Sequence, residues 1–238
     1  MKPVSLLPAT VATIPNKTYT GGQIKPSVTV KLSKKTLKEG KDYKLSYTKN
    51  TAVGKATIQI TGIGNYTGSI KKSFTIVKKN ISGLSYSGLT TRSYTGKRMN
   101  PAVVIKYGKT TLKRGKDYTV KYGKNTSVGK GTVQITGKGN YAGTVVKSFK
   151  IVPKAPSVSV KAAKGKLQVS MKAVGASGYQ IAYATSSKGK WNYTMSGSSK
   201  TIKLSRNKTY YVKVRAYKTI DGKKCYGSYS SLKHVKTK

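Results

Sequence analysis

Apolar and polar residues alternate along most of this chain with a period of two. In Lys55-Ala56-Thr57-Ile58-Gln59-Ile60-Thr61 every second side chain is apolar, the pattern of a strand with one wet face. Directly after it come Gly62, Gly64, Asn65 and Gly68, turn residues of the kind that separate hairpin strands. The alternation predicts strands over 28–31, 43–49, 55–61 and 69–77, and again over 103–106, 118–124, 130–136 and 144–152. First strands are expected over 9–14 and 84–89. No stretch of a dozen residues carries helical apolar spacing, and no apolar run approaches the roughly 18 residues a membrane span needs.

The two sets of strands are one set repeated. The segment from Thr18 to Val77 recurs from Ser93 to Val152 at a constant offset of 75 positions without a gap, and about 35 of roughly 60 positions are identical. That period exceeds the usual 20–50 residues of solenoid repeats and matches a small domain. Short strands with turn signals every 8–12 residues suggest a β-sandwich or barrel.

The pattern breaks after Val152. Pro153, Ala155 and Pro156 read as a short stiff linker. Beyond it strands are predicted over 166–172, 178–185, 199–204, 210–218 and about 232–237. Within the fourth, Tyr210, Val212, Val214 and Ala216 fall on one face, expected to be buried, and Tyr211, Lys213, Arg215 and Tyr217 on the other. The expected fold is all-β, a tandem array of three small Ig-like or fibronectin type III-like sandwiches. Their expected spans are residues 1–78, 79–153 and 154–238.

The last segment resembles fibronectin type III modules: Leu204 and Tyr210 stand in the spacing of that family's Leu…Tyr corner, followed by alternating Val212, Val214 and Ala216. It departs from the family pattern where Met171 replaces the core Trp and Arg206-Asn207 replaces Pro-Gly. The segments 169–183 and 210–226 are similar to lysine-rich type III modules of large surface proteins of gut Firmicutes. The two repeats, with Tyr-Thr-Gly, Gly-Lys-Asp-Tyr, Asn-Thr-x-Val-Gly and Gly-Asn-Tyr-x-Gly, resemble Ig-like repeats of those same Gram-positive proteins. The resemblance implies a cell-surface or secreted chain that spaces domains or binds.

Composition sharpens this. There are 48 Lys+Arg against 4 Asp+Glu in 238 residues, a formal net charge of +44. The basic residues are spread through all three segments, a blanket and not a tail. Disordered chains of such charge lack regular β-branched and aromatic patterning, and this one has 18 Tyr set among Thr and Val. Arg occurs only at 92, 98, 114, 206 and 215. Lys is a hydrated point charge and Arg the bidentate reader of phosphate and carboxylate, so the balance favours diffuse attraction to polyanions. Cys225 is the only cysteine, which excludes an intrachain disulfide and a cysteine-built zinc cluster. The opening residues, with two early prolines, make a poor signal peptide, so a secretion signal is expected outside this sequence.

Acid–base chemistry is poorly supplied. The candidate groups are Glu39, Asp42, Asp117, Asp221, His234 and Cys225. Asp42 and Asp117 are one position in two copies, and Glu39 becomes Arg114 in the second. Asp221-Gly222 reads as a hairpin turn. No enzymatic activity, cofactor or metal is expected. In Gly-Lys-Asp-Tyr the Asp is expected to accept backbone N–H bonds in a turn. The sharper alternative is an acid-assisted Lys–Asn isopeptide cross-link, with Asn50/Asn125 and Asn65/Asn140 as candidates. Tyr19/94, Tyr43/118, Tyr47/122 and Tyr66/141 are expected in the core with hydroxyls reaching partners. Trp191, Tyr193, Tyr217, Tyr226 and Tyr229 are the candidates for an exposed aromatic binding patch. The expected partners are anionic polymers: teichoic acid, acidic glycans and, non-specifically, nucleic acid. A discrete site for a host glycan or protein is the alternative.

Overall fold

The computed structural model describes residues 2–238 and is all-β, with one 3-10 turn at Ile81–Gly83. No helix among the described residues is long and apolar enough to cross a membrane. By contacts the chain divides into two compact units. One runs through Tyr86 and takes in Val104–Val120 and Ile135–Val145; the other holds Ser87–Val103, Lys121–Gln134 and Val146–Lys238.

In the first repeat a three-stranded sheet orders Thr10–Val11, Val30–Leu32 and Lys35–Thr36. A four-stranded sheet orders Lys17–Thr18, Ser69–Val77, Gly54–Gly62 and Tyr43–Thr48. Lys17–Thr18 runs parallel to its neighbour and the other two pairings are antiparallel. Ala56, Ile58 and Ile60 are fully buried while the residues between them keep contact with water, as their alternation predicts. Leu6, Val30, Ile58, Ile60 and Ile76 are all 0% exposed, and so are their counterparts Ile81, Ile105, Val133, Ile135 and Ile151. Burying a side chain of this size contributes about 1.5–3 kcal/mol, so the 75-residue offset preserves the positions that stabilise the fold most.

Polar side chains tie the sheets together at the same offset. The Tyr43 hydroxyl donates to the carbonyl of Val28 at 3.0 Å and Tyr47 to Pro26 at 2.8 Å; in the second copy Tyr122 donates to Pro101 at 2.7 Å. These bonds explain one departure from the sequence expectation. The strand expected over 28–31 is shifted to Val30–Leu32: the Pro26 and Val28 carbonyls before it are taken by tyrosines, while that of Thr29 accepts the Ala12 N–H at 3.1 Å. The first strands expected over 9–14 and 84–89 are likewise short, Thr10–Val11 and Ser85–Ser87. In the second copy the chain just before is wound into the 3-10 turn, capped by the Asn80 side chain accepting from Ser82 N–H at 2.8 Å.

After Pro156 a three-stranded sheet orders Ser157–Ala163, Lys166–Lys172 and Ser199–Lys203. The facing sheet orders Asn192–Ser196, Gly178–Ala184, Thr209–Ile220 and Lys223–Tyr229, with Lys233–Lys236 also paired to Thr209–Ile220. Ser157–Ala163, Asn192–Ser196 and Lys223–Tyr229 are strands beyond those predicted. The core between the sheets holds Leu167, Val169, Met171, Ile181, Ile202, Tyr210, Val212, Val214 and Ala216. Met171, which stands where the type III pattern has Trp, is buried in it. Ser205 N–H donates to the Tyr210 hydroxyl at 3.2 Å, the backbone link of a tyrosine corner. Asp221 and Gly222 have φ of 48° and 74°, the left-handed pair that a type I′ hairpin requires.

Candidate functional site

The five aromatic candidates lie along the outer face of this last sheet. Its register sets the four tyrosines in rows across successive strands, Tyr193–Ala182–Lys213, Gln180–Arg215–Tyr229 and Gly178–Tyr217–Tyr226. Gly178 leaves room for the Tyr217 ring. A Cβ at Gly178 would stand 2.6 Å from the Tyr217 hydroxyl oxygen and 2.8 Å from its Cζ.

Cations from the Thr209–Ile220 strand fill the spaces between rings. Lys213 Nζ lies 4.1 Å from the Trp191 ring centre and 4.9 Å from that of Tyr229. The Arg215 guanidinium carbon lies 4.0 Å from the centre of Tyr226 and 4.9 Å from that of Tyr229. Lys224 Nζ stands 5.4 Å from Tyr217, whose ring meets Tyr226 at 5.8 Å between centroids. Each such contact contributes about 0.5–1 kcal/mol at an exposed site. Arg215 Nε also donates to Gln180 Oε1 at 2.8 Å, and the Tyr229 hydroxyl donates to the same oxygen at 3.2 Å. Burial raises the Tyr229 phenol above its ordinary range, against the opposing pull of the Arg215 charge.

Tyr193 is 56% exposed, whereas Trp191, Tyr217, Tyr226 and Tyr229 are half-buried with cations over them. The face is therefore a cationic strip floored by rings, with one ring open to solvent. Lys213 and Arg215 were legible as residues of the outer face, but their role as spacers between rings comes from cross-strand register, which a sequence does not display.

Beside this sheet, in the same compact unit, lies a groove of about 570 Å³. Lys130, Lys150, Lys223 and Lys224 border it, and Phe149, Ile220 and Leu89 contribute apolar surface. The half-buried Cys225 thiol also lines it.

Four of the other candidate groups hold backbone groups. Asp42 Oδ2 accepts the Lys38 N–H and Asp117 Oδ2 the Lys113 N–H, each at 2.8 Å, as the turn reading expects. Asn50 Nδ2 donates to the Ile24 carbonyl and Asn125 Nδ2 to that of Met99, both at 3.1 Å. His234 lies in the Lys233–Lys236 strand with its ring 6.0 Å from Tyr211. Among the described residues no three His, Cys, Asp or Glu side chains come together as metal ligands would.

No family model matches the chain, and no curated protein matches it. Among solved structures it is similar to the FN1-FN3 domains of chicken CNTN1 at 16% identity, over 77% of this chain and 76% of that one, with a TM-score of 0.32. A likeness that loose places no residue; the Ig-like, type III-like fold stands on the sheets and cores described above.

Proposed function

We propose that this chain is a non-catalytic structural and binding segment of a secreted or cell-surface bacterial protein, one that spaces domains and associates with anionic cell-wall polymers such as teichoic acid. The observation that carries it is the charge balance, 48 basic against 4 acidic residues, in a fold where Asp42 and Asp117 are committed to turns. Lys44, Lys71, Lys72, Lys121, Lys150, Lys166, Lys172 and Lys203 all stand exposed on strands. Self-repulsion at such charge weakens a compact state, and wall phosphates or carboxylates would relieve it. Acidic glycans and, non-specifically, nucleic acid share the needed chemistry. The scarcity of Arg argues against base reading.

An adhesin with a discrete site for a host glycan or protein is the second reading. Its observation is the lysine-bordered groove over Phe149 and Ile220. Binding of the whole chain to wall polymer, heparin, DNA and a glycan panel, each over a salt series, separates the two. The first expects indifference to polymer identity and steep salt dependence; the second expects one ligand held at physiological salt.

A further inference from the structure

Each repeat carries a tyrosine and a valine that come to rest on something. Within the first compact unit, the Tyr19 ring meets the Tyr141 ring edge-on, at 5.5 Å between centroids and 87° between planes. Beside it the Val53 N–H donates to Asn140 Oδ1 at 3.0 Å. Tyr141 is left only 3% exposed. Adding 75 to the first pair gives Tyr94 and Val128, and these too are covered, within the second unit, by the loop at Gly175. A Cβ on Gly175 would stand 2.8 Å from Tyr94 Cδ1 and 3.1 Å from Val128 Cγ2.

The receiving residues have a counterpart that, among the described residues, no tyrosine–valine pair covers. Subtracting 75 from Asn140 and Tyr141 gives Asn65 and Tyr66. Their local frame is the same: Val4–Ser5 pairs in parallel with Tyr66–Thr67 as Lys79–Asn80 does with Tyr141–Ala142, and Gly64 and Gly139 share a φ of 63°. Yet Asn65 is exposed and Tyr66 only half-buried, with Val4 and Leu7 beside them 52% and 74% exposed. Among the described residues the side chain over it is Lys35, which donates to the Tyr66 hydroxyl at 2.9 Å and lies 5.4 Å from its ring centre. Lys35 is exposed and is Thr110 in the second copy, so a long side chain stands where the occupied counterpart has a short one.

We infer that Asn65 and Tyr66 form a docking socket for one further repeat of this kind, presenting a tyrosine edge to Tyr66 and a valine N–H to Asn65 Oδ1. The occupant follows from continuity with the contact already made at Asn140 and Tyr141. A second copy of this chain is not it, because both Tyr–Val pairs of each copy are already covered. A head-to-tail contact of this kind does not close on itself and extends an array. The socket is independent of polymer binding.

The test duplicates residues 1–75 ahead of the full chain, keeping the 75-residue period, and maps tyrosine accessibility by oxidative footprinting read by mass spectrometry. Tyr66 of the original first repeat should lose its reactivity to the level of Tyr141. A Tyr19→Ala change in the added copy should restore it. Tyr66 equally reactive with and without the added copy would overturn the proposal, as would its protection in the original chain through self-association. A control that does not depend on the added copy folding is Tyr19→Ala in the original chain, which must raise the reactivity of Tyr141. If it does not, the Tyr–Val pair is not what covers the socket and the inference fails.

Discussion

Asn125 and Thr132 clasp each other twice: Asn125 Nδ2 donates to the Thr132 carbonyl at 3.0 Å and Asn125 Oδ1 accepts the Thr132 N–H at 2.8 Å. The same amide holds the Met99 carbonyl, so one buried side chain joins three segments. Removing it strands buried backbone groups, each costing about 1–3 kcal/mol. Asn125 also has φ of 47°, a conformation asparagine tolerates better than alanine. Asn125→Ala is expected to destabilise by about 2–4 kcal/mol in urea unfolding, and Asn50→Ala by less. Equal losses would show that the Thr132 bonds contribute nothing.

Arg215 is the hinge of the cationic strip. Its planar head lies between Tyr226 and Tyr229 while Nε donates to Gln180. Lysine keeps the charge but neither stacks as a plane nor holds a fixed fork. Arg215→Lys should lower stability by about 1 kcal/mol without changing binding to acidic polymers. Unchanged unfolding midpoints would mean that the ring contacts are solvent-screened and idle.

Tyr141 gives a pH signature. Its phenol is pushed up to about 12, first by burial and then by the charges of Tyr19, Asp117 and Tyr107. The folded state thus favours the neutral phenol. Below about pH 10, the ordinary phenol value, both states hold the proton and the stabilisation is complete. Between about pH 10 and 12 the unfolded chain loses a proton that the folded chain keeps, so stability falls by up to about 1.4 kcal/mol per pH unit. Wild type compared with Tyr141→Phe across this window isolates the effect from titrating lysines. The wild type should lose stability relative to the variant as pH rises; parallel curves would contradict the burial.

Much of the fold was legible because its signals are local. Alternation over 55–61 and 210–216 fixed which faces are buried, and the offset of 75 carried that assignment into the second copy. Asp221-Gly222 announced its turn by residue type. What was not legible depends on partners distant in sequence. Lys223–Tyr229, with two lysines, a cysteine, a glycine and two tyrosines, shows weak alternation and is a strand because Thr209–Ile220 offers it an edge. The aromatic candidates were found as residues, but only register shows Lys213 and Arg215 lying over their rings. The contact between Tyr19 and Tyr141 joins different faces of two copies, and repetition alone does not reveal which faces meet.

In the proposed function the lysine blanket, and not a shaped pocket, binds acidic polymers. Affinity of the intact chain for teichoic acid, heparin and DNA measured between about 50 and 200 mM salt tests it most directly. With six or more phosphate contacts, affinity should fall by roughly 10³-fold or more over that range, similarly for all three polymers. Reversing the charge of Lys71 and Lys72, of Lys106 and Lys121, or of Lys166 and Lys172, all exposed on strands, should weaken it by comparable steps. An affinity that survives 200 mM salt for one polymer alone, and that only the Lys150, Lys223 and Lys224 changes abolish, would show a shaped site in place of the blanket.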